Sequence, residues 1–373
     1  MIFRLLRRSA RSGRSIVTVM LVIAALFVGA TVDVNPAAPS PSKVTATSMS
    51  PEARQPGWTT VSASSRGVMV DFRDLIVGGT VFRAIRLRAR TTLLRWHVGS
   101  SDPNAWAEAP ADAAPRIDWP TEGPAGIVAA FNGAFKQSAN AGGAVVDGVV
   151  MIHLVVGLMT IALDGAGHWE IGAWGANNFP TKGFHPISYR QNLGPLVLHG
   201  VVTPGAASSN WRQWGSPLNN NPLTARTGLG VDGNGNLIYV ATLTPVMPAT
   251  LASALVRAGV VTGMELDINP YWPIVGASVR PLHTSAGQFA VQLPGSFHNA
   301  TIYANGWERD FFVALAEPNS WICSWQSAGV RSAVHHVQPQ PLHIAGKGCR
   351  PPSGTNTPAP TTSTTTTSTA PTQ

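Results

Sequence analysis

The sequence predicts an α+β fold, a largely antiparallel twisted sheet with a few covering helices, in a single large domain. Three observations carry this. Short apolar or alternating runs of strand length recur along the chain. Turns drawn from 37 glycines and 30 prolines separate them. Only one segment repeats apolar residues at helical spacing. With 373 residues, 44% of them hydrophobic, the chain can bury a sizeable core.

Val68-Met69-Val70-Asp71-Phe72 is a short strand-like run. Ile85 to Arg90 alternates with period two, which puts Arg86, Arg88 and Arg90 on one face, read here as solvated. Gly126 to Phe131 is apolar and of strand length. Gly142-Gly143 with Asp147-Gly148 marks a hairpin. Leu229-Gly230-Val231 and Leu237-Ile238-Tyr239-Val240 flank the turn Asp232-Gly233-Asn234-Gly235-Asn236, a second hairpin. Pro248 and Thr250 open a helix in which Leu251, Ala254, Leu255 and Ala258 share a face, and Gly259 can end it. Met264 to Ile268 returns as a strand.

The ends of the chain differ from this body. Arg4, Arg7, Arg8, Arg11 and Arg14 precede the uncharged run Ser15–Val32, which Asp33 closes. A basic start and an apolar run make residues 1–33 a secretory signal peptide or an uncleaved membrane anchor. Either way the rest of the chain is expected outside the cytoplasm, secreted or membrane-anchored. Residues 34–56 are rich in Pro, Ser, Thr and Ala and suit a flexible linker. Residues 57–349 are expected to be globular. Residues 350–373 form a Pro/Thr/Ser tail too poor in apolar groups to order itself. Cys323 and Cys349 pair as a disulfide in an oxidising compartment, or stand as two unrelated thiols.

The net charge of +8 comes mostly from the leading arginines; without those five, 21 basic residues face 18 acidic ones. No long basic stripe remains to neutralise phosphates, which argues against a nucleic-acid partner. The Cys and His spacing does not suggest zinc.

Several polar groups could carry chemistry on this frame. Asn132 follows an apolar strand in Asn132-Gly133, a tight-turn pair that could aim its amide into a pocket. Asn192 lies in Gln191-Asn192-Leu193-Gly194-Pro195, read as a loop. Arg226 enters a strand otherwise free of charge and could fork onto a carboxylate or phosphate. Asp232 heads a D-x-N-x-N stretch like the start of a calcium loop, but Leu243 stands where the twelfth-position acid belongs, so a hairpin turn is the better reading. Alternation puts Glu265, Asp267 and Asn269 on one strand face, with the carboxylates about 7 Å apart. Such a pair could share a proton, bind a cation, or act as acid and base.

Together these motifs resemble a known family. Ala129-Ala130-Phe131-Asn132-Gly133-Ala134-Phe135, Val146-Asp147-Gly148, Asn192-Leu193-Gly194-Pro195, Ala225-Arg226-Thr227-Gly228-Leu229-Gly230-Val231-Asp232 and Glu265-Leu266-Asp267 stand in the order of the phosphodiester glycosidase domain, which also includes bacterial exopolysaccharide-related proteins. The resemblance spans residues 125–317 and ends near Arg309-Asp310-Phe311-Phe312-Val313. It departs after Asp267, where the family commonly has Leu-Asp-Gly-Gly-Gly-Ser and this chain has Ile268-Asn269-Pro270-Tyr271. The resemblance implies hydrolysis of a sugar-1-phosphate diester in envelope or extracellular glycans. Arg226 would hold the phosphate, and Asp267 with Glu265 or Asp232 would supply acid, base or nucleophile. Asn132, Asn192 and Asn269 would orient the substrate, and Tyr271 or Trp272 would stack on a sugar. A divalent cation held by these carboxylates is left open. The altered loop keeps an alternative in view, a non-catalytic envelope glycan-binding protein of the same fold.

Overall fold

The computed structural model describes residues 57–317, apart from 104–108, 111–112, 140, 177 and 216. The expected signal or anchor, the linker, the Cys323–Cys349 pair and the tail lie outside the described residues. Those residues fall within one compact unit. No helix among them is long and apolar enough to cross a membrane.

Three antiparallel sheets form the frame. The largest has eight strands, in the spatial order Thr59–Ser64, Gly67–Val77, Thr80–Leu87, Leu237–Val246, Thr224–Asp232, Val260–Ile268, Val197–Leu198 and Val201–Val202. A second orders Val149–Ile152, Ala144–Val146, Ser188–Gln191, Met159–Leu163 and Trp169–Ala173. The third orders Val291–Gln292, Val275–Leu282, Ile127–Asn132, Phe311–Ala316 and Thr92–His97. The fold is therefore closer to mostly β than to the α+β expected. Two of the α-helices, Trp119–Glu122 and Pro204–Ala207, are single turns, and Pro248–Ala258 is the one of any length among the described residues.

That helix follows the expected signals. Pro248 opens it, and Gly259 closes it at φ 101°, donating its N–H to the Leu255 and Val256 carbonyls. Leu251, Ala254, Leu255 and Ala258 pack on one face of the large sheet with Ile238, Val240 and Ile268. The opposite face carries Leu229, Tyr239, Met264 and Leu266 onto Phe131, Ala144, Ile161 and Phe312 of the two smaller sheets. Strands covered on both faces read as apolar runs, which is why Ile127–Asn132 is buried throughout.

The solvated arginine face is corrected for Arg86 and Arg88, while Arg90 is exposed as expected. Arg86 sits opposite Asp71 across the hairpin of Gly67–Val77 and Thr80–Leu87 and is buried against it, with Nη2 2.9 Å from Oδ2. Arg88 reaches the same oxygen at 2.8 Å, and the Arg86 guanidinium lies 4.2 Å from the Trp58 ring centre. A cross-strand carboxylate draws the charge inward.

A second buried pair stands on the five-stranded sheet beside Phe311. His97 stacks on that ring, centres 4.8 Å apart. Its Nδ1 lies 2.8 Å from the Ala114 carbonyl and its Nε2 2.9 Å from Glu122 Oε1. Burial, the largest influence, opposes the imidazolium, but Glu122 and Ala114 together outweigh it and hold the histidine above its ordinary value. The stability this contributes is complete below the unfolded value of about 6.5 and is lost as pH rises through the higher folded value. Urea unfolding of the wild type and Glu122→Gln between about pH 5.5 and 9 should show a stability gap that is widest at the acid end. A gap constant across the range would reject the charged pair.

Candidate functional site

The site grows from the segment Asn132–Phe135, which leaves the five-stranded sheet between two other strands. The Gly133 N–H donates to the Asp310 carbonyl (2.8 Å), and its carbonyl accepts from the Asp267 N–H (3.0 Å). Asp267 and Asp310 are thereby held on either side of one residue. A Cβ on Gly133 would run into the Asp310 carboxylate, so only glycine fits. Asp310 Oδ2 accepts from Arg190 Nε (2.8 Å), Trp96 Nε1 (3.0 Å) and the Ala134 N–H (3.3 Å), while its Oδ1 has no partner.

Asp267 is 6% exposed. Its Oδ1 accepts from the Ile268 N–H (2.9 Å), and its Oδ2 pairs with Arg309 Nη2 (2.7 Å). Burial pushes this carboxyl up to about 7, against the pull of Arg309. Arg309 is not fully used by the pair. Its Nε is 3.6 Å from Asp102 Oδ2, too long for a hydrogen bond, and has no other partner. Its guanidinium carbon lies 4.9 Å from the centre of the half-buried Trp272 ring.

Arg226, expected to hold phosphate, is 0% exposed and wholly occupied. Nε donates to the Val246 carbonyl (2.9 Å), Nη1 to Glu265 Oε1 (2.5 Å) and the Trp214 carbonyl (3.3 Å), and Nη2 to the Pro222 carbonyl (2.9 Å). The structure thus gives this arginine a structural pairing in place of the ligand expected. Glu265 is buried with it, its Oε2 unpartnered, and burial pushes its carboxyl up to about 7 against the pull of Arg226. The expected shared face of Glu265 and Asp267 is also corrected. Arg226 pairs with Ile268 but Gly228 with Glu265, so the Val260–Ile268 strand carries one extra residue. This bulge breaks the alternation and sends the two carboxylates to different arginines.

The other expected residues are placed as follows. Asn132 bolts the sheets together: its amide donates to Thr227 Oγ1 (3.1 Å), and its oxygen accepts from the Tyr239 hydroxyl (2.6 Å). Asn192 Nδ2 donates to the Glu265 carbonyl (2.7 Å). Asn269, at φ 78°, accepts from the Leu218 N–H (2.9 Å) and the Thr224 hydroxyl (3.2 Å). Asp232 takes no part in the site. It binds the N–H groups of Asn234 and Asn236 in its own turn, at the far end of its strand, about 20 Å along from Arg226 by strand rise. Tyr271 and Trp272 follow Asp267 at the rim. Of the carboxylates left open for a cation, Glu265 and Asp267 are each held by an arginine and Asp232 by its own turn, and no metal-ligating cluster forms among the described residues.

Sequence reasoning missed Arg309, Asp310 and Arg190. Arg309 and Asp310 entered the sequence reading only as the end of the family resemblance, a charged pair before the apolar run Phe311–Leu315, and Arg190 carried no signal.

No protein-family model matches the chain, and no curated protein matches it in sequence. Among solved structures, it is similar to the catalytic domain of zebrafish N-acetylglucosamine-1-phosphodiester alpha-N-acetylglucosaminidase, auto-inhibited by its pro-peptide. The TM-score is 0.41 at 12% identity, over 70% of this chain and 88% of that one. It is also similar to a protein from Synechocystis, with a TM-score of 0.40 at 12% identity, over 66% of this chain and 62% of that one. A likeness this faint carries no argument about activity.

The two arginine pairs should respond differently to removal. Arg226→Met strands a buried carboxylate and is expected to lower unfolding free energy by about 3–5 kcal/mol, partly restored by adding Glu265→Gln. Urea melts that show no loss for Arg226→Met would reject the structural assignment.

Proposed function

We propose that the chain is an exported hydrolase that cleaves sugar-1-phosphate diesters of envelope or extracellular glycans. The carrying observation is Asp267, a carboxyl near neutrality beside an arginine whose Nε has no hydrogen-bond partner. Arg309 takes the place first expected for Arg226. Its guanidinium binds the phosphate, an anion it suits in charge and shape. Asp267 is the base. Water attacks the anomeric carbon and gives its proton to Asp267, while the bond from that carbon to the phosphate oxygen breaks. The electron pair leaves with the phosphate monoester, which needs no added proton. Asn132, Arg226 and Glu265 position this machinery through the sheets.

A second reading, a glycan-binding protein without turnover, draws on the pairing that already engages Asp267. Release of sugar from the methyl diester of glucose 1-phosphate separates the two. Asp267→Asn and Arg309→Met are expected to lower turnover at least about a hundredfold. Since the base must be ionised, turnover in the wild type rises with pH through about 7. Arg309→Lys keeps the rise near that pH. In the residual activity of Arg309→Met it moves upward, because burial is no longer offset. Binding without turnover by the wild type would favour the second reading, and turnover unchanged in Asp267→Asn would remove Asp267 from the scheme.

A further inference from the structure

Of the large apolar side chains left exposed among the described residues, two are aromatic, and they touch. Tyr271 is 47% and Phe297 61% exposed, with ring centres 4.6 Å apart and planes tilted by 44°. They lie 26 positions apart in sequence, so the fold brings them together.

The pair is held in place on both sides. Asn269 fixes the turn before Tyr271 through Leu218 and Thr224, and the Trp272 N–H donates to the Asn269 carbonyl (3.2 Å). Ser296 Oγ lies 2.8 Å from the Pro273 carbonyl and 2.9 Å from the His298 carbonyl, which ties the loop of Phe297 to that of Tyr271. Pro270, Pro273 and Pro294 stiffen the same two segments.

The rings also continue inward. Trp272, next to Tyr271, packs on Trp307 (6.2 Å between centres), as does His298, next to Phe297 (5.0 Å). Trp272 in turn lies under the Arg309 guanidinium. An aromatic strip thus runs from the water-exposed pair to the buried Asp267–Arg309 pair.

We propose that Tyr271 and Phe297 form a ring-binding subsite for a further sugar, so that the substrate class is a glycan chain carrying the phosphodiester rather than a single sugar phosphate. Sugar rings present C–H faces to aromatic rings while their hydroxyls stay in water, and the Tyr271 hydroxyl adds a polar handle. The exposed Glu308, next to Trp307 of the strip, can accept hydrogen bonds from sugar hydroxyls, which suits a polar glycan better than a lipid or an apolar peptide. The subsite rests on the hydrolase reading only for the fate of the ligand, not for its binding.

The test uses the full chain and intrinsic tryptophan fluorescence. Titrants are inorganic phosphate, the methyl diester of glucose 1-phosphate, and that of maltotriose 1-phosphate. The trisaccharide diester should bind about tenfold tighter than the monosaccharide diester. Tyr271→Ala and Phe297→Ala should erase that preference while leaving phosphate affinity and the melting temperature unchanged, and Tyr271→Phe should keep most of it. Equal affinity for one and three sugars in the wild type would overturn the subsite, as would a preference that survives both alanine variants. Turnover without any chain-length preference sinks the subsite alone. A chain-length preference without turnover sinks the hydrolase reading alone.

Discussion

The contact between Gly133 and Asp310 is the constraint on which the rest of the site depends. Gly133 gives its N–H to the Asp310 backbone and its carbonyl to the Asp267 N–H, and it has no room for a side chain. The Asp310 carboxylate tolerates this crowding because Arg190, Trp96 and Ala134 all donate to its Oδ2. Leaving such a buried acceptor unmet would cost about 1–3 kcal/mol, more for a charge. Arg190 also donates to the Phe135 carbonyl (2.5 Å), so it closes the far side of the same loop. Once that clamp is set, the direction of Arg309 follows, since it precedes Asp310 in the chain.

The acids of two arginine–carboxylate pairs, Glu265 and Asp267, lie two residues apart on one strand, and the chemistry separates the pairs. Arg226 and Glu265 are fully buried, and each nitrogen of the arginine has an acceptor, on Glu265 or on the Val246, Trp214 and Pro222 carbonyls. Such a pair adds little net stability over apolar packing, yet breaking it is expensive, so it acts as a lock. Arg309 and Asp267 are buried too, but Arg309 Nε has no hydrogen-bond partner and the half-buried Trp272 ring lies beneath its guanidinium. The strand bulge makes this division possible. Without the extra residue, strict alternation would send both acids the same way.

What the sequence made legible was local. Hairpins, the Pro-to-Gly helix and apolar strands depend on neighbours within a few positions, and they stand where expected. The contacts that decide roles join distant segments. Asp71 lies 15 positions from Arg86, opposite it only after the hairpin register is set. Arg226 and Glu265 are 39 positions apart, so the one charge in an apolar strand looked free for a ligand. Asp232 could be assigned either to turn or to catalysis until its carboxylate was seen binding its own turn amides. Arg309 stood out in the sequence only as part of a charged pair before an apolar run, and its contact with Asp267 gives it a role.

On the proposed reading, the segment after Asp267 explains why anion recognition falls on a side chain. In the family that the motifs resemble, glycines there could offer backbone N–H groups to a phosphate. Here those donors are engaged. The Ile268 N–H binds the Asp267 carboxylate, the Asn269 N–H binds the Ala225 carbonyl (3.0 Å), and Pro270 has none to give. Asn269 still takes the left-handed conformation a glycine would adopt, at φ 78°, so the chain can turn sharply without glycine. The turn therefore survives while its donors do not. In the proposed scheme a side-chain cation stands in for them, and Arg309 is the guanidinium paired with Asp267 whose Nε the fold leaves without a hydrogen-bond partner.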